Sequence, residues 1–168
     1  NHAIIKKQLI SEGYVFESDT DTEVIPNLFV KYIKMGNDFL HAGRLVLKDI
    51  KGAFAFVAMS VDFPDQLFVS RNSSPLAIGI GEGSNFIGSD AQSINHLTNK
   101  IIYLEDGDHA LVETKKVEIF DKYLNKVNRK IINIEAEVGL VTKGGYKHFM
   151  EKEIHEQPSV IPQTISAF

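Results

Sequence analysis

Hydrophobic positions along this chain follow two patterns, and the change comes at Lys51. Before it they recur with the period of a helix buried on one side. After it they come in short runs separated by turn-forming residues, the mark of strands. Asn1 to Glu12 places Ile4, Ile5, Leu9 and Ile10 on one stripe, and Gly13 follows where a left-handed glycine ends a helix. Tyr14 to Phe16 is brief and extended. A second helix is expected from about Thr22 to Met35, with Val24, Ile25, Leu28, Phe29, Tyr32 and Ile33 as one broad buried face. Pro26 lies early enough in it to be tolerated, and Gly36 closes it. A third helix, about Asp38 to Asp49, turns Phe39, Leu40, Leu45, Val46 and Ile50 toward the core.

Ala53 to Val61 (AFAFVAMSV) is a nearly unbroken apolar strand, which must be covered on both faces. Gln66 to Ser70, Leu76 to Ile80 and Asn85 to Gly88 follow as short strands. Ser89 to Asn95 is expected as a short helix with Asp90 near its start. Lys100 to Leu104, His109 to Glu113 and Val117 to Phe120 form a meander, with the tight acidic turn Leu104 to Asp108 inside it. Lys126 to Ile134 alternates as one edge strand, Gly139 to Tyr146 is loop-like, and His148 to His155 is helical. Pro158 and Pro162 then mark an exit or linker. Helices followed by strands, with a strand apolar on both sides, imply a layered sandwich of sheets and helices.

The junction of the two patterns most able to carry chemistry is Ser18 to Ile25, SDTDTEVI. Asp19, Asp21 and Glu23 alternate at a helix start, and Thr20 and Glu23 have the spacing of a capping box. Local backbone geometry can therefore hold Asp21 with its carboxylate projecting, which suits a substrate ammonium. The plainer reading is that all three acids favour the positive end of the helix dipole. Other candidates are weaker. His148, Glu151 and His155 share a helical face but lack the HExxH spacing. GIGEGSN, Gly79 to Asn85, has no helix start after it and reads as a hairpin turn. His96 and His109 have no neighbours in sequence that would complete a triad, and Ser73–Ser74–Pro75 is a turn, not a nucleophile elbow.

Composition narrows the function classes. The chain has 168 residues and a net charge of −4, which gives no electrostatic case for nucleic acid or an anionic membrane. No run is long and apolar enough to span a bilayer, and no signal peptide is visible. With no cysteine, neither a thiolate metal site nor a cysteine nucleophile lies within these residues. No metal and no cofactor are expected.

Five ordered segments share a single resemblance. Gly13 to Ile25 (GYVFESDTDTEVI) resembles a segment of the glutamine–fructose-6-phosphate aminotransferases, the glucosamine-6-phosphate synthases, although that family prefers Glu where this chain has Asp19. KGAFAFVAMS resembles the family's L-x-G-A-Y/F strand. Ser70 to Asp90 resembles its R-x-G-S-P-L-x-I-G…F-x-A-S-D block, with Asn72 and Ser73 in place of the usual residues and Gly88 for Ala. IIYLEDGD matches its I-x-L-E-D/E-G-D turn, and His148 to Pro158 matches its M-x-K-E-I-x-E-Q-P segment.

The resemblance implies an α+β fold, an αββα four-layer sandwich of N-terminal-nucleophile hydrolase type, incomplete at the N-terminus. It implies that residues 1–157 are the C-terminal portion of a class II glutamine amidotransferase domain and that 158–168 begin a linker to a sugar isomerase domain. In such a domain an N-terminal cysteine hydrolyses glutamine with its own α-amino group as base. An Asn-Gly pair holds the oxyanion, and a T-R-W-A-T-H-G segment grips the glutamine carboxylate. All of these would precede Asn1, so no catalytic residue is expected in this chain. The matched substrate-binding residue is Asp21, which would take the α-amino group of glutamine. Ammonia would pass to the isomerase domain, which converts fructose 6-phosphate to glucosamine 6-phosphate. The implied setting is a cytoplasmic homodimer in full-length form, with these residues alone inactive. Two rival readings remain open: a degenerate, non-catalytic domain binding an amino acid or a partner protein, and an amidotransferase with a different acceptor.

Overall fold

The structure is a computed structural model, and it describes residues 1–134 and 145–166. The chain divides into two compact units, Asn1–Ile134 and Glu135–Phe168.

The first unit begins with helix α1, His2–Ser11, then a 3-10 turn, Asp21–Glu23, that leads directly into α2, Val24–Lys34. Helix α3 spans Phe39–Asp49, and Asp38 caps it by accepting from the amide of His41 at 2.7 Å. Nine strands follow: β1 Phe54–Ser60, β2 Phe63–Asn72, β3 Ala77–Ile80, β4 Asn85–Gly88, β5 Lys100–Tyr103, β6 His109–Val112, β7 Val117–Phe120, β8 Lys126–Val127 and β9 Ile131–Asn133. They form a five-stranded sheet, β1-β2-β6-β7-β8, and a four-stranded sheet, β4-β3-β5-β9. All the ladders are antiparallel, with Val57 opposite Val69, Val69 opposite Ala110 and Ile78 opposite Ile102.

Side-chain alternation along each strand sorts the core into layers. Phe56, Ala58 and Phe68 face the helices and meet Leu9, Leu28, Phe29, Phe39 and Val46. Val69, Ala110, Val112 and Ile119 of the larger sheet meet Leu76, Ile78, Ile102 and Leu104 of the smaller. The far side of the smaller sheet, Ala77 and Ile101, is covered by Ala91 and Ile94. This is a two-sheet α+β sandwich with helices on the outer face of the larger sheet.

Several local expectations change. Ile4 and Ile10 are exposed while Ile5 and Leu9 are buried, because α1 offers only a narrow face to its neighbours. On α3, Leu40 and Leu45 are half-buried, and Ala42 and Gly43 take the innermost places, where α3 approaches the ring of Phe68. Residues 89–97 form consecutive turns instead of a helix; Asp90 still accepts from the amide of Ser93 at 2.8 Å. The expected single strand Lys126 to Ile134 breaks into β8 in the larger sheet and β9 in the smaller. Between them the Arg129 side chain is drawn in to Asp108, so the chain leaves one sheet and joins the other. Among the described residues, β1 is not covered on both faces. It is an edge strand whose burial alternates, and Val57 and Met59 are exposed on the side that faces between the sheets.

In the second unit, helix α4 runs Phe149–Ser166, so Pro158 and Pro162 lie within a helix and not beyond its end. Tyr146 stacks on His155, with ring centroids 5.3 Å apart. The expected loop at residues 139–146 falls largely outside the described residues.

Candidate functional site

Ser18 to Glu23 is a folded loop in which Glu23 is the organising residue. Its carboxylate accepts from the amides of Glu17 at 2.7 Å and Ser18 at 2.9 Å, and from the Ser18 hydroxyl at 2.5 Å. These bonds, led by that of the Ser18 hydroxyl, hold the Glu23 carboxyl below its ordinary pKa. The reach-back half of the expected capping box is thus present, displaced by two residues. Thr20 makes no cap bond; its hydroxyl pairs instead with that of Ser18 at 2.8 Å.

That fixed loop delivers Asp21 to the first position of the 3-10 turn. Among the described residues its carboxylate has no hydrogen-bond or ion-pair partner, and it is exposed. It lines a small cleft of about 140 Å³ whose other walls include Asn1, Thr22, Ile50, Lys51 and Phe54. The cleft is held from below by Asn1, whose side chain donates to the carbonyl of Asp49 at 2.7 Å and accepts from the amide of Lys51 at 3.1 Å. An anionic group without a partner among the described residues, lining a cleft of mixed polar and apolar walls, can accept a cation such as a primary ammonium.

Elsewhere in the first unit the structure pairs polar groups whose partners the sequence did not show. Asp108, 1% exposed, takes a forked pair of bonds from Arg129, both 2.8 Å, and accepts from the amide of Glu105 at 2.7 Å. Arg71 donates to the carbonyl of Leu104 at 2.8 Å and to Asp106 at 3.1 Å. Asp106 also accepts from the amide of Ser73 at 2.6 Å, holding Ser73 at φ 64°. His109, 1% exposed, is stacked between Phe68 and Phe120, and its Nε2 accepts from Nε of Arg44 at 3.1 Å. Burial, then the charge of Arg44, push the imidazole down to about 4 against the opposing pull of Asp108 and Asp121. It is therefore a neutral packing group at neutral pH. The adjacent Asp108 and His109 at the start of β6 carried no signal for this, since the partners Arg44 and Arg129 are distant in sequence.

Comparison with known proteins places this geometry. A family model described as a glutamine amidotransferase domain matches residues 1–96. The chain is 45% identical over its 168 residues to the glutamine–fructose-6-phosphate aminotransferase (isomerizing) of Fusobacterium nucleatum. It is 40% identical over 168 residues to the enzyme of that name from Zymomonas mobilis, and 43% over 168 residues to that from Mesorhizobium japonicum. Each match covers 100% of this chain but only 27%, 28% and 28% of the respective relative. Among solved structures, the glutamine phosphoribosylpyrophosphate amidotransferase of B. subtilis, complexed with ADP and GMP, aligns with a TM-score of 0.59 at 22% identity, over 75% of this chain and 28% of that one. At that identity the likeness speaks to the fold, and it agrees with the two-sheet sandwich described above. With more than half its length matched by the family model, this chain belongs to the glutamine amidotransferase domain family.

Proposed function

We propose that these residues are part of the glutaminase domain of a glutamine-dependent aminotransferase that makes glucosamine 6-phosphate, and that Asp21 binds the ammonium of glutamine. The observation that carries this is the unpartnered Asp21 carboxylate at a cleft, in a chain 45% identical over all 168 residues to a glutamine–fructose-6-phosphate aminotransferase. Asp21 binds and orients; it transfers no proton. On this reading the ammonia goes to fructose 6-phosphate in a separate isomerase domain, residues 1–157 belong to the glutaminase part, and 158–168 begin the connection. The open edge of β1, with Val57 and Met59 uncovered, is where a further part of the full-length protein adds strands. The same reading carries a cytoplasmic homodimer, and no glutaminase activity for the 168 residues alone.

The test is Asp21→Asn in the full-length protein. Loss of a charge-assisted bond worth about 1.5–3 kcal/mol raises the KM for glutamine by roughly tenfold to a hundredfold. The KM for fructose 6-phosphate and the ammonia-dependent rate stay as they were. Equal losses toward both substrates would refute the role given to Asp21.

A further inference from the structure

Next to the Asp21 cleft is a larger one, of about 450 Å³, and its electrostatics are unlike the rest of the chain. Arg44, Lys48, Lys51, Arg71 and Lys122 all line it, together with His109, and among the described residues no carboxylate side chain does. The chain as a whole carries net charge −4. The cations come from separate elements: Arg44 and Lys48 from α3, Lys51 from the segment after it, Arg71 from β2, and Lys122 from the β7–β8 turn. The negative end of the α3 dipole accounts for Lys48, but not for groups arriving from the sheet and the turn.

Asp21 lines the smaller cleft together with Lys51, but the acids of the turns beside this one are already engaged. Asp106 is taken by Arg71 and the amide of Ser73, and Asp108 by Arg129. Asp121 accepts from the amides of Tyr123 at 2.8 Å and Asn125 at 2.9 Å within its own turn. Among the described residues, Lys48, Lys51 and Lys122 form no ion pair, and Nε of Arg71 is buried without a hydrogen-bond partner.

The turn that carries Lys122 is built, not loose. Leu124 is held at φ 69°, with its amide donating to the carbonyl of Asp121 at 3.0 Å. Gly107, at φ 83°, lies so close to the Lys122 stem that a Cβ there would be 2.9 Å from the Cβ of Lys122. The same turn sets Tyr123 and Leu124, both exposed, at the cleft.

We propose that this cleft binds a phosphomonoester, its dianion received by Lys51, Lys122 and Lys48 and its organic part resting on Tyr123 and Leu124. Ammonium groups that line one cleft and form no ion pair among the described residues suit a doubly charged, compact oxyanion. The aromatic and aliphatic wall beside them favours an ester over the free ion.

Isothermal titration of the full chain with phenyl phosphate, inorganic phosphate and phenol tests this. Phenyl phosphate binds saturably and more tightly than inorganic phosphate; phenol does not bind. Lys51→Gln/Lys122→Gln weakens phenyl phosphate binding by about tenfold or more, as expected for two charge-assisted bonds. Tyr123→Ala weakens phenyl phosphate binding and leaves inorganic phosphate unchanged. These side chains are exposed, so the melting temperature stays that of the parent and the variants remain readable. The proposal is overturned if neither phosphate binds saturably, if phenol binds as well as its phosphate, or if Lys7→Gln, on α1 and outside the cleft, weakens binding as much as the double variant.

Discussion

Substituting Gly43 by alanine probes the contact between the helices and the larger sheet. A Cβ on Gly43 would lie 2.2 Å from Cε2 of Phe68, 2.4 Å from Cδ2 and 2.5 Å from Cζ. Unbonded carbons settle at about 3.5 Å, so the ring would have to retreat by about 1.3 Å. It has nowhere to go: Phe68 is 0% exposed, with ring centroids of Phe29 at 5.5 Å, Phe56 at 6.2 Å, Phe39 at 6.4 Å and His109 at 5.9 Å. Overpacking of this depth costs about 3 kcal/mol, the upper part of its usual range. Alanine returns about 1 kcal/mol through its better helix propensity. The expected net loss is about 2 kcal/mol, or about 6 °C in melting temperature for a domain of this size. Thermal and urea unfolding followed by far-ultraviolet circular dichroism measure it. Adding Phe68→Leu to Gly43→Ala should cost less than the two single losses together, with a coupling of about 1 kcal/mol or more. A Gly43→Ala protein as stable as the parent, or strictly additive losses, would refute this seating of α3 on β2.

Further outcomes follow from the polar groups. His109 is held near 4 in the folded protein, below the roughly 6.5 of an unfolded histidine. Its contribution to stability is therefore complete above about pH 6.5 and is lost as pH falls toward 4, by up to about 1.4 kcal/mol per unit. Urea titrations between about pH 7 and 5 should show this slope, and His109→Gln should flatten it. Ser73 sits at φ 64°, so Ser73→Gly should stabilise by about 0.5–1 kcal/mol while Ser73→Ala gives no gain, read as urea midpoints. Arg129→Met strands the buried Asp108 carboxylate and should cost about 3–5 kcal/mol; Asp108→Leu in the same chain should restore most of it.

The helical half of the fold was legible because it rests on local signals. Gly13 and Gly36 at helix ends and the Leu28–Phe29 face each act within a turn or two of themselves. The strand runs were legible for the same reason, and β4 and β7 begin and end where the pattern places them. What escaped depends on distant partners. Nothing around Arg129 shows that its guanidinium is claimed by Asp108, twenty-one residues away, and so nothing shows where the last strand divides. The apolar run in β1 reads as a strand covered on both faces, yet among the described residues nothing covers Val57 and Met59, because an apolar run reports what a strand can bury and not what lies against it. For the proposed site, Asp21 stood out through its segment. The lysine-lined cleft did not, since its walls converge from four separate stretches of chain.

The order β1-β2-β6-β7-β8 carries a consequence for how the protein reaches its folded state. β2 and β6 are neighbours, Leu67 against Val112, but β3, β4 and β5 lie between them in the chain and build the other sheet. The β1–β2 and β3–β4 hairpins close short loops, whereas β6 must wait until the intervening strands have been gathered out of its way. Such nested, non-local pairing places the protein among slow folders. Destabilising the β2–β6 ladder should therefore slow refolding more than an equal injury to the β3–β4 hairpin.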